Sequence, residues 1–292
     1  MSRMSDNRMS AAFMCGSMAG FSANDAIMKL IGPEYGLSQS IFLRGALLCL
    51  LFGTYAWARG TFRTLPESRD RKIMAVRSLS EIGISACFVT AVFNMPIANA
   101  TAILQFVPLA IGVAAHLTGR RRAGPMRWLA ILCGFVGVLI IIRPGTEGFN
   151  AYSLLALAAV FFVVLRDFAS QSLSPNANSL LVTLVSATVV TAAFGAPHVF
   201  GNPWTPVTAT DLALFVLAAV FLFAGYYFGV VTMRIGDAFS VAPFRYSIMV
   251  FSVTFGWVLF NEIPDAWTIL GIGILAGTGV FVIRREQSAL AG

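Results

Sequence analysis

The stretch Met9–Ile31, MSAAFMCGSMAGFSANDAIMKLI, decides the fold class. It holds no charged residue before Asp25. Coiled as a helix it is roughly 35 Å long, enough to cross a hydrocarbon core of about 30 Å. Its second half carries Asn24, Asp25 and Lys29, polar groups that an ordinary apolar anchor lacks. No small-residue cleavage site follows it, so a removable signal peptide is not expected.

Comparable runs recur along the chain to Ile283. Their spacing predicts ten transmembrane helices, over 9–31, 39–58, 74–93, 97–118, 126–143, 151–170, 179–198, 211–233, 238–260 and 266–284. Turn signals separate them: Gly32-Pro33, Gly124-Pro125, Pro144-Gly145, Ser174-Pro175-Asn176 and the segment Pro203 to Pro206. Composition agrees, with 58% hydrophobic and 11% charged residues and a mean hydropathy of +0.80. A water-soluble domain of this size needs more charge on its surface, and the connections are too short to hold one. The chain reads as an all-α integral, multi-pass protein of the cell inner membrane, with the lipid bilayer as its surroundings.

The net charge of +7 does not indicate a nucleic-acid partner. With the N-terminus placed inside, fourteen Lys and Arg residues fall in cytoplasmic segments and only Arg143 falls on the other side. That asymmetry is the positive-inside pattern, and it predicts both termini in the cytoplasm. The chain also repeats itself weakly. Asp25 matches Asp167, Gly137-Val138 matches Gly279-Val280 and Arg143 matches Arg285, all at one offset. Met95, Ile97 and Ala100 match Met233, Ile235 and Ala238 at a slightly shorter one. Five helices per half means that the second half enters from the opposite side. The expected architecture is two inverted five-helix repeats, residues 1–146 and 147–292.

Charges inside spans point to function, since each costs about 2.5–3.5 kcal/mol at the membrane centre. Asp25 and Lys29 stand four apart on one helix face, as do Arg77 and Glu81, so two internal ion pairs are expected. Arg166 and Asp167 are adjacent and project about 100° apart, so each is expected to find its partner elsewhere. Arg44 lies within the second helix. Arg245 follows Pro243 and has no acid three or four residues away, which predicts that it faces a central cavity. Pro108 and Pro243 should kink the fourth and ninth helices and free backbone carbonyls, with Asn99, Thr101 and Gln105 adding hydrogen-bonding groups nearby. Tyr226, Tyr227, Phe244 and Tyr246 are the aromatics expected nearest the cavity. The expected substrate-binding set is Asp25, Arg44, Gln105, Asp167, Tyr227, Phe244, Arg245 and Tyr246.

Other features are structural. Cys15, Cys49, Cys87 and Cys133 lie in apolar runs without paired spacing, and His116 and His198 are far apart, so neither a metal nor a cofactor is expected. No G-x-x-x-x-G-K-[ST] loop is present for ATP coupling. Trp128, Trp204 and Trp267 read as interface anchors. The G-x-x-x-G pairs Gly16/Gly20 and Gly273/Gly277 permit close helix approach, first within the chain and second in a homodimer.

Two groups of residues carry a family resemblance. One is Ser22-Ala23-Asn24-Asp25 followed by Lys29. The other runs through Gly236-Asp237-Ala238, Ala242-Pro243-Phe244-Arg245-Tyr246 and Phe260-Asn261-Glu262-Ile263-Pro264-Asp265. With ten helices as five plus five, the chain resembles the drug/metabolite transporter superfamily in its EamA-type branch. Within that branch it is similar to the subgroup of bacterial S-adenosylmethionine and riboflavin uptake proteins. It departs from the pattern at Arg120, where many members carry an acid at the end of the fourth helix, whereas Glu262 keeps the acid in the second half.

The resemblance implies a secondary transporter that moves a small organic metabolite by alternating access. The span charges Lys29, Arg44, Arg77, Arg166 and Arg245 nearly balance Asp25, Glu81, Asp167 and Asp237, which suits a neutral solute. Riboflavin uptake is the first expectation; S-adenosylmethionine uptake and amino-acid or metabolite export are the alternatives. A membrane-embedded lipid enzyme is the reading from another class, and no nucleophile–base or metal constellation supports it. Asp25 and Asp167 are the equivalent deep acids. With Lys29 expected beside Asp25, Asp167 is the better proton carrier.

Overall fold

The computed structural model describes residues 2–61, 67–119, 125–144, 150–174, 177–235 and 242–291. Among them every regular element is helical: α1 (Ser2–Ala58), α2 (Ser68–Asn94), α3 (Ile97–Leu104), α4 (Val107–Leu117), α5 (Pro125–Ile142), α6 (Tyr152–Gln171), α7 (Ser179–Val199), α8 (Ala209–Ile235), a 3-10 turn (Ala242–Tyr246), α9 (Ser247–Phe260) and α10 (Ala266–Ala291). Hydrocarbon offers backbone groups no partner, so helices that satisfy their own are what apolar runs form there. Six described helices are long and apolar enough to cross a membrane, and three shorter apolar helices accompany them. Among the described residues the chain is all-α, with the apolar helices of a multi-pass integral membrane protein.

A straight helix over Ser2–Ala58 would be about 85 Å long, and α1 is not straight. Gly36 has φ 70°, a left-handed conformation that a residue with a Cβ avoids. Arg44 donates to the Asn24 side chain at 3.4 Å across twenty positions, which requires the chain to reverse between them. The Ser40 hydroxyl donates to the Gly32 carbonyl at 3.0 Å, satisfying a group that the break at Gly36 orphans. Thus α1 is a hairpin with a first arm over 2–35 and a second over 37–58. The turn expected at Gly32-Pro33 falls instead at Gly36, because Pro33 stays inside the first arm.

The span expected over 97–118 is broken into α3 and α4 at Gln105 and Phe106, just before Pro108. In the second half the chain passes Pro243 in the 3-10 turn before α9 begins. Two interrupted helices therefore stand at corresponding places. Arg120 and the Gly236-Asp237-Ala238 motif lie outside the described residues.

Packing pairs the elements in matching sets. The first arm of α1 holds α8 through Ser17 to the Gly225 carbonyl at 2.6 Å and Ser10 to the Thr232 carbonyl at 2.8 Å. Correspondingly, α2 packs along α6. The second arm meets α7, where Ser38 donates to the Phe194 carbonyl at 2.6 Å. The first arm meets α9 at Ser22 and Ser252, 3.1 Å apart, while α3 and α4 lie against α6. Finally α5 crosses α10, where a Cβ on Gly271 would come within 2.8 Å of the Gly137 carbonyl. Gly16 and Gly20 abut α8 as expected, but Gly273 and Gly277 have open space around them. The close crossing of α10 uses Gly271 because that face, not the Gly273 face, points at α5.

Candidate functional site

Four charged residues and their hydroxyl partners form the polar centre of the bundle. On α2, Glu81 lies 3.5 Å from Arg77 and 3.7 Å from Arg166 of α6. Arg166 also binds Asp167 at 2.8 Å, contrary to the expectation from their adjacency. The guanidinium stem is long enough to curl back over the next residue, which the direction of the Cβ atoms alone does not reveal. Arg77 is further held by the hydroxyls of Ser170, at 3.1 Å, and Ser186. Both acids of this cluster are thus occupied by arginines from within it.

Arg44, on the second arm of α1, stands apart. It is 8% exposed, its Nε has no hydrogen-bond partner, and it reaches only the Asn24 oxygen. It lines a cavity of about 60 Å³ together with Arg77, Glu81, Ser85, Thr183, Thr191 and Tyr226. Asp25 sits within electrostatic reach of Arg44 and accepts from the Asn24 amide at 2.9 Å. The expected Asp25–Lys29 pair does not form. Lys29 extends away from its own helix to Glu262 and to the Met95 carbonyl, the latter at 2.7 Å, with its ammonium over the Phe260 ring. Two fixed acceptors on neighbouring elements outcompete the same-face carboxylate.

The remaining expected residues are distributed around this centre. Asp167 belongs to the cluster through Arg166. Arg245 is solvent-accessible, has no hydrogen bond or ion pair among the described residues, and feels both Asp167 and Arg166 electrostatically. Gln105 occupies the break between α3 and α4, where its N–H is shared by the Thr101 and Ala102 carbonyls. Phe244 is exposed, whereas Tyr246 is buried with its hydroxyl unpartnered against Gly279. Tyr227 is 38% exposed in an aromatic row with Tyr55 and Phe223, and it is Tyr226 that lines the cavity. Only the position of α8 against α1 decides which of two adjacent tyrosines turns inward. Ser85, Thr183 and Thr191 escaped sequence reading because neutral hydroxyls in apolar runs carry no distinctive pattern.

A second polar group closes the end of the bundle that carries Gly36. Glu262 accepts from Lys29 and, at 3.0 Å, from the Ile97 N–H, tying α1, the α2–α3 junction and the α9–α10 loop together. Beside it lies a vestibule of about 490 Å³, where Arg143 pairs with Asp265. Asp265 also accepts from the Thr268 N–H at 2.9 Å at the start of α10. The Arg143 hydrogen bond, ahead of these backbone and hydroxyl contacts, holds the Asp265 carboxyl down at about 2.

Comparison with known proteins accords with this arrangement. A solved crystal structure shares the fold at a TM-score of 0.58, with 18% identity, over 93% of this chain and 98% of its own. An S-adenosylmethionine uptake transporter of Rickettsia prowazekii is 30% identical, over 94% of this chain and 92% of that protein. That of Rickettsia conorii is 28% identical over the same shares. A riboflavin transporter of Rhizobium johnstonii is 28% identical, over 72% of this chain and 68% of that protein. The sequence profile of the EamA-like transporter family matches residues 8–143 and again 150–285. The chain belongs to the EamA-like transporter family, within the drug/metabolite transporter superfamily.

Proposed function

We propose that the chain is a ten-span secondary transporter built of two inverted repeats, 1–146 and 147–292, with both termini cytoplasmic. The α1 hairpin supplies two of the spans, and α3 with α4 supplies one. The paired packing supports the two-repeat reading: exchanging the halves turns the most extensive interhelical contacts into others that are present, such as α2–α6 into α8–α1. The fourteen-to-one Lys/Arg asymmetry supports a periplasmic position for the Gly36 end.

The transported solute is a small organic metabolite, taken up by alternating access. Asp25, Arg44, Gln105, Asp167, Tyr227, Phe244, Arg245 and Tyr246 are proposed to contact it, with Tyr226 added by its place in the cavity. The observation that carries the reading is a buried, charged centre between two halves, with the Nε of Arg44 left without a hydrogen bond. Riboflavin is the first proposed substrate. S-adenosylmethionine is the second, favoured by relatives of that name that match nearly the full chain.

The proposed proton carrier is Asp25 in place of Asp167. Asp167 is held by Arg166 at 2.8 Å and is committed to that ion pair. Asp25 has lost Lys29 to Glu262 and forms no ion pair among the described residues, which makes it the proposed carrier. Uptake of labelled riboflavin and S-adenosylmethionine into liposomes holding only this protein tests the function. A pH gradient that stimulates the wild type and not Asp25→Asn supports the coupling; absence of any flux refutes transport.

A further inference from the structure

We propose that the pocket beside Arg44 is a subsite for one carboxylate of the transported solute, with Arg44 as the residue that sets this preference. The inference rests on the transporter reading above. At about 60 Å³ the pocket holds several waters or one carboxylate-sized group, and a whole metabolite does not fit in it. It therefore receives an end of the solute and not its bulk.

The donors in the pocket point to the chemistry of that end. Arg77 is bound by Glu81 and by the hydroxyls of Ser170 and Ser186. The Thr183 and Thr191 hydroxyls donate to carbonyls of their own helix, at 2.9 and 2.7 Å. Arg44 alone among the pocket's charged groups keeps an open donor, on a side chain more than nine-tenths buried. A planar guanidinium whose Nε–H has no partner is matched best by a carboxylate, which accepts side by side from two N–H groups of one fork.

Charge gives the same answer independently. The lining holds two guanidiniums, Arg44 and Arg77, against one carboxylate, Glu81. One negative charge is missing, and a carboxylate supplies it. A cationic end is repelled, and a doubly charged phosphate overshoots. Adding Arg166, Arg245, Asp25 and Asp167 leaves the balance one positive as before, because Lys29 is neutralised at Glu262. Of the two substrates proposed above, S-adenosylmethionine bears a carboxylate and riboflavin does not.

The test is equilibrium binding to the purified full chain of S-adenosylmethionine, its decarboxylated analogue and riboflavin, with uptake measured in parallel. The wild type is expected to bind the carboxylated solute at least tenfold more tightly than the decarboxylated one. Arg44→Gln is expected to erase that difference by weakening the carboxylated solute alone, and Arg44→Lys to retain part of it. Ser85→Ala, a lighter change in the same wall, serves if Arg44→Gln does not fold, and should narrow the difference by weakening the carboxylated solute only. Equal binding of the two analogues, no binding of the carboxylated one, or equal weakening of both by these variants overturns the subsite. Riboflavin flux without carboxylate preference overturns the subsite while leaving the transporter reading intact.

Discussion

Lys29 and Glu262 form an ion pair that fastens the first arm of α1 to the loop between α9 and α10. Their side chains are 10% and 22% exposed, so neither charge is well hydrated once the partner is gone. The same carboxylate receives the Ile97 N–H, and the same ammonium reaches the Met95 carbonyl. Three segments from both halves of the chain thus converge on one pair, at the end of the bundle proposed to face the periplasm. In the proposed alternating-access cycle we assign this pair the role of a latch that opens to admit solute.

Lys29→Met should therefore favour the outward-open state and slow uptake. A cysteine at Ser85, in a background without other cysteines, should react several-fold faster with a membrane-impermeant maleimide added from the periplasmic side. Exchanging the pair, as Lys29→Glu with Glu262→Lys, should return labelling toward the wild-type rate. Unchanged labelling in Lys29→Met would remove the latch from the mechanism.

Glu81 is the hub of the central cluster, and its loss strands two guanidiniums at once. Glu81→Gln should destabilise the folded protein by roughly 3–5 kcal/mol, the usual cost of breaking a buried pair from one side. Thermal unfolding in detergent measures it. A melting temperature equal to that of the wild type would mean that Arg77 and Arg166 are held by their other partners alone.

Asp265 gives a defined pH signature. Its carboxyl is held at about 2 in the folded protein, below its ordinary value of 3.8. The contribution is therefore fully present above the ordinary value and is lost as the pH falls from about 4 toward 2. Asp265→Asn should lower the melting temperature by a few degrees, since half of the side chain is exposed and water screens the pair. The deficit should stay constant from pH 5 to 8 and shrink only in acid. A deficit that varies between pH 5 and 8 would assign the titration to another group.

The membrane-spanning character was legible in the sequence because apolar length is a one-dimensional signal. The ion partners were less so. Spacing identified Arg77 with Glu81, since both lie on one face of one helix. It failed for Lys29, whose partner is more than two hundred positions away, and for Arg166, whose reach exceeds what the helix angle suggests. The cavity tyrosine illustrates the same limit: Tyr226 and Tyr227 are equivalent in sequence, and tertiary packing alone separates them. Gly36 was passed over for Gly32-Pro33 because a proline within the first arm reads as a stop when its neighbours are unseen.

The proposed topology rests on the charge asymmetry and is checked by accessibility. Single cysteines at Ser68 and Gly201 should be labelled from opposite sides of the membrane, Ser68 from the cytoplasm. Both reacting from one side would contradict the proposed ten spans with cytoplasmic termini.

The central claim is that one solute site is exposed alternately to the two sides of the membrane. Counterflow measures this most directly. Liposomes holding only the purified protein are loaded with unlabelled substrate and placed in a trace of the labelled compound, riboflavin and S-adenosylmethionine being tried in turn. An alternating-access carrier predicts transient accumulation of label above its equilibrium level, saturating with internal substrate. Label that only equilibrates, at a rate indifferent to the internal load, would contradict the account.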